Sequence, residues 1–112
     1  MKIIRPIELV VYDVLKDGDK LVVSGRCIQG PIRVGDVFNA VYRYASGKMA
    51  GSWDGPDYRV DSSNVFLRIE WIKSFGKFID SLDSIFTARI RLAGVGMGDV
   101  KEDYCLGGMF EG

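Results

Sequence analysis

The chain has 112 residues, 47% of them hydrophobic and 27% charged, with fifteen basic and fifteen acidic side chains and no histidine. That balance fits one globular domain over residues 1–112 and excludes a disordered, fibrous or disulfide-framework chain. Zero formal charge removes the global positive field of a typical nucleic-acid binder, and the missing imidazole removes Ser-His-Asp and Cys-His catalysis and histidine metal ligands.

The first residues, "MKIIRPIELVVYDVL", are interrupted by Arg5, Pro6, Glu8 and Asp13, so they form neither a signal h-region nor a membrane span. A cytoplasmic protein is expected. Ile7 to Val14 reads instead as a strand, and "KDGDK" after it as a tight turn through Asp17-Gly18. Leu21 to Ile28 is a second strand. "QGPIRVGD" then supplies glycines and Pro31 for a corner, from which Ile32, Val34 and Val37 return apolar surface to the core. Val37 to Tyr44 is a third strand.

Residues 45–64 are polar and turn-rich and read as a long loop or hairpin tip. "VFLRIEWIK" alternates, setting Val65, Leu67, Ile69 and Trp71 inward against Arg68 and Glu70. In 74–85, Phe75, Phe78, Ile79, Leu82 and Ile85 stand at helical spacing, which predicts a short amphipathic helix that Gly76 weakens. "FTARIRLAG" returns to period two with Phe86, Ala88, Ile90 and Leu92 on one face, and a last strand lies near Tyr104. Six or more short strands with fourteen glycines at corners point to an all-β fold: a small closed Greek-key-like barrel with a long insertion near 45–64.

Candidate chemistry is sparse. Cys27 and Cys105 sit in apolar stretches and read as buried thiols, ahead of a disulfide or a nucleophile. Asp17 with Asp19, and Asp54 with Asp57, are the closest carboxylate pairs for acid–base work. Both lie among glycines, where aspartate serves the local turn. Arg89 and Arg91 share the wet face of one strand with Arg68 or Lys73 on a neighbour, a stripe suited to phosphate or an acidic surface. The plainer reading is a solvated face paired with Glu70, Asp80 or Asp83. Trp53, with Tyr42, Tyr44, Met49 and Tyr58 nearby, reads equally as an interface anchor or as a lid over the barrel mouth.

Several of these segments, taken in order, carry a resemblance. Pro6-Ile7-Glu8 is similar to a "PIE" opening, Val22-Val23-Ser24-Gly25-Arg26 to "VVTGR", and Gly30 with Ile32-Arg33-Val34-Gly35-Asp36 to "G-x-I-x-V-G-[DE]". "IEWIKSFGKFIDSL" and "TARIRLAGVGMGDVKEDYCL" continue the series. The chain thus resembles the second domain of translational GTPases, the β-barrel that follows the nucleotide-binding domain in elongation factor Tu and its relatives. The resemblance implies a connecting loop or single turn at 74–85, in place of the helix. It does not bring GTP, because no G-x-x-x-x-G-K-[ST] loop is present. In elongation factor Tu the barrel helps hold the aminoacylated end of tRNA. At three of the positions involved this chain has Leu9, Val11 and Gly76, and only Glu8 is kept.

The expectation is a non-enzymatic binding module without cofactor, metal, membrane or GTP, acting through protein–protein contacts as a bacterial immunity or inhibitor-type protein would. An RNA- or ribosome-associated accessory factor is the alternative, disfavoured by zero net charge.

Overall fold

Period-two alternation builds the walls of the molecule. A computed structural model describes residues 4–44 and 59–111. Its strands are β1 (Ile4–Asp17), β2 (Lys20–Gln29), β3 (Ile32–Arg33), β4 (Val37–Tyr44), β5 (Arg59–Ser74), β6 (Lys77–Ile79), β7 (Ser81–Leu82), β8 (Thr87–Val95) and β9 (Cys105–Glu111). A single 3₁₀ turn occupies Met97–Asp99. The main sheet runs β4-β9-β1-β2-β8-β5-β6, and β4 also pairs with β5. That last pairing closes six antiparallel strands into a barrel, with β6 hanging beyond it and β3 pairing with β7 alongside. Closure leaves β4 and β5 no open edge where they meet. The all-β barrel expected from the sequence is the fold that forms.

Inward positions of the six strands fill the interior. Leu9 and Val11 from β1, Val23 and Cys27 from β2, Phe38 from β4, Leu67, Ile69 and Ile72 from β5, Ile90 and Leu92 from β8, and Leu106 from β9 are all sealed from solvent. Full burial of each large apolar side chain is worth about 1.5–3 kcal/mol. Both cysteines are buried and outside any disulfide, as their apolar surroundings implied.

Several local expectations are corrected. The first hairpin turns at Gly18-Asp19, one residue later than Asp17-Gly18, because Asp17 pairs with Lys20 and Gly18 takes the left-handed φ of +62°. Residues 59–64 belong to β5 rather than to a loop. Residues 45–58 of the expected insertion lie outside the described residues. At the corner, Val34 faces solvent and Asp36 is buried instead, its carboxylate accepting from the Arg33 amide at 2.9 Å.

The register slips between Ile69 and Trp71, so Ile72 rather than Trp71 enters the core. Trp71 is half-buried on the outside, edge-on to Phe78 at 5.6 Å. Phe86 precedes β8 and is likewise exposed. No helix forms at 74–85. Phe75 and Gly76, at φ +52° and +77°, make a two-residue turn between Ser74 and Lys77, followed by β6 and β7. Of the five apolar residues at helical spacing there, Leu82 is buried and Ile79 packs partly against the core, while Phe75, Phe78 and Ile85 are exposed.

A basic and aromatic groove as the candidate functional site

The outer wall where β1, β2, β8 and β5 adjoin carries an open groove of about 520 Å³. Its cations follow from alternation. Ile72, Ala88 and Ile90 point inward, so Lys73 and Arg89 point outward, and they are cross-strand partners. Ser24 on β2 is paired with Arg89 from the other side. The groove's floor depends on Gly25, where a Cβ would overlap the Val10 carbonyl oxygen and press Leu9 at 3.1 Å. The glycine of "VVSGR" is therefore a close-approach residue.

Two rings border the same groove. The register slips between Val11 and Asp13, and Tyr12 lies outward, 48% exposed. Phe75 stands at the tip of the β5–β6 turn, 87% exposed. The Ser74 hydroxyl donates to the Thr87 carbonyl at 2.8 Å and ties this turn to the start of β8. Both central residues of the turn have positive φ, a geometry in which Asn, Asp or Gly is normally found. A bulky residue there is strained, and its exposure means that core packing does not offset the strain.

The structure divides the four predicted basic residues. Lys73 and Arg89 meet in the groove. Arg91 is engaged elsewhere: its Nε lies 3.1 Å from Glu70 Oε1, off-axis for a hydrogen bond, with Asp17 Oδ2 at 3.7 Å from Nη1. Glu70 also reaches Lys20 at 3.5 Å. Arg68 is exposed farther along β5, opposite Val37 and Ala93. Tyr12 and Phe75 were not singled out from the sequence. Period two from Ile7, Leu9 and Val11 already puts Tyr12 outward, but no local pattern marks it as a groove ring, and Phe75 falls into the helical spacing.

Of the interface candidates, Trp53, Met49 and Tyr58 lie outside the described residues. Tyr42 does not serve as a surface contact: it is 2% exposed, with its hydroxyl donating to the Glu8 carboxylate. Tyr44 donates to the same Glu8 oxygen at 2.7 Å and meets Tyr42 edge-on at 5.8 Å. Glu8 is itself buried, so these phenols replace the water it lost.

Cys27 is sealed from solvent inside the barrel. Burial pushes its thiol up to about 11, against a smaller downward pull from a hydrogen bond with Ser84. Asp17 ends β1 and Asp19 lies within the first hairpin turn, and Asp54 and Asp57 lie outside the described residues. Among the described residues, no three of His, Cys, Asp and Glu gather where they could hold a metal ion. No helix among them is long and apolar enough to cross a membrane.

No protein-family model matches the chain, and no curated protein matches it in sequence. Among solved structures it is similar to the apo form of translation elongation factor SelB from Methanococcus maripaludis, with a TM-score of 0.63 at 14% identity. The match covers 91% of this chain and 18% of that one, so the chain spans under a fifth of the factor's length. At that identity the likeness is one of fold. The barrel is of the elongation factor Tu second-domain type, as the ordered motifs implied.

Proposed function

We propose that the chain is a translation-associated RNA-binding module whose contact surface is the groove between Tyr12 and Phe75. The observation that carries this reading is the groove's composition. It places two outward cations, Lys73 and Arg89, beside two solvent-exposed rings on a barrel shaped like a translation-factor domain. Phosphate contacts need cations only where the backbone passes, so zero net charge over the whole chain does not weigh against a local site.

The lost tRNA-end positions take on a different meaning beside this groove. Leu9 and Val11 are buried in the barrel wall, and the neighbouring Tyr12 offers a ring on the wet side. The module is assigned no catalytic step. The inhibitor-type reading draws its surface from Trp53, Met49 and Tyr58 with Tyr42 and Tyr44; of these last two, Tyr42 is buried and both donate their hydroxyls to Glu8.

Co-sedimentation with ribosomes, and binding to bulk tRNA at two salt concentrations, test the proposal. Association that weakens steeply with salt is expected. No association with either at low salt would sink it.

A further inference from the structure

Resting on that reading, we infer that the groove takes single-stranded RNA, with unpaired bases stacking on Phe75 and Tyr12 while the adjoining phosphates sit on Lys73 and Arg89. Four features of the groove agree on this ligand chemistry.

The first is charge. Among the described residues no Asp or Glu lines the groove, whereas Lys73 and Arg89 both do. The site is therefore selective for an anion at close range. Ser24 and Thr87 add hydroxyls beside the two cations.

The second is the Phe75 ring. It is 87% exposed and occupies a left-handed turn position that Asn, Asp or Gly would fill with less strain. Such strain persists at ligand-contact positions. A protruding ring offers its π-face to any unpaired base, and the stacking tolerates any sequence.

The third is spacing. Lys73 and Arg89 are cross-strand partners, and the 75–76 turn is tied to Thr87 through the Ser74 hydroxyl. Ring and cations are thereby held on one rigid patch, the combination of stacking platform and electrostatic track that single strands use.

The fourth is scale. Double-stranded RNA is recognised across two successive minor grooves by widely spaced contacts. One groove of about 520 Å³ with a ring at its edge suits a short unpaired segment instead.

The test uses the full chain with a fluorescent twelve-nucleotide oligouridylate, the same length of oligoadenylate, and a blunt RNA duplex. Both single strands are expected to bind, and the duplex at least tenfold more weakly. Phe75→Asn removes the ring while supplying a residue the turn prefers, so the variant folds; it and Tyr12→Ala are each expected to weaken single-strand binding about tenfold. Lys73→Ala with Arg89→Ala should lower the slope of log affinity against log salt by about 1.4, at roughly 0.7 per phosphate.

Ribosome or tRNA association that survives with Phe75→Asn and Tyr12→Ala binding single strands like the parent overturns this inference and leaves the RNA-binding reading standing. Duplex binding as tight as single-strand binding does the same. No RNA binding of any kind overturns both, as does binding to phosphatidylserine vesicles in place of RNA.

Discussion

Tyr42 on β4 reaches over Gly107 on β9 to donate its hydroxyl hydrogen to Glu8 on β1. Three strands meet in that contact: one gives the donor, one the acceptor, and the middle one gives room by having no side chain. Tyr42 and Cys105 are buried yet stand apart from the central apolar cluster, so this contact organises a second packed layer on the barrel wall.

Removing the donor should therefore be costly. Tyr42→Phe leaves a buried Glu8 oxygen with one phenol in place of two, and a loss of about 1–3 kcal/mol is expected in urea unfolding. Tyr44→Phe should cost less, about 1 kcal/mol, because Tyr44 is partly exposed and water can take its place. Equal losses from the two variants would contradict the burial difference.

The glycines separate into classes that one substitution distinguishes. At Gly107 an added Cβ would stand 2.7 Å from Tyr42 Oη, so Gly107→Ala must displace the ring and should match Tyr42→Phe in cost. At Gly25 the obstruction is the Val10 backbone oxygen, which cannot swing aside, and Gly25→Ala should be the most destabilising of the series. Gly18 has open space around it and only its φ of +62° to defend, so Gly18→Ala should cost about 1 kcal/mol. Thermal midpoints of the three variants give the order directly.

The bulge in β5 makes a prediction opposite to simple alternation. Ile72→Ala should cost about 2–5 kcal/mol, since the side chain is fully buried. Trp71→Ala should cost less despite the larger ring, because it gives up an outer-wall contact with Phe78 rather than core volume. A larger loss at Trp71 would mean that the strand keeps its unbulged phase.

Cys27 gives stability an alkaline limit. Its thiol titrates near 9.0 when solvated and near 11 in the folded chain, so between those values the unfolded chain has lost a proton that the folded one keeps. The contribution is whole below about pH 9 and falls away as pH rises to about 11. The stability gap between the parent and Cys27→Ala should narrow across that window, and a constant gap would refute the assignment. In the native protein at pH 8 the thiol should react with a thiol reagent only as fast as the chain opens.

The barrel was legible because alternation and turn glycines are local signals. "FTARIRLAG" declares a strand with one wet face, and Ala88, Ile90 and Leu92 are buried as that pattern requires. The ordered motifs from Pro6 to Asp36 specify corners that only a few residue types can make. Hence the fold class and the main alternating strands, along with the buried character of both cysteines, follow from the sequence by itself.

Three things were decided only in the tertiary structure. Where a bulge falls depends on which strand lies alongside, and one extra residue turns every later side chain to the other face. That is why Trp71 left the core and Ile72 entered it, and why Val14 rather than Asp13 turns toward the core after Tyr12. Whether Phe75 and its apolar neighbours face a core depends on what packs over them, and helical spacing alone carried no such information. The pairing of Lys73 with Arg89 was set by the β5–β8 register, over sixteen positions of sequence that no local pattern spans. The groove exists because those long-range pairings bring its cations and rings together.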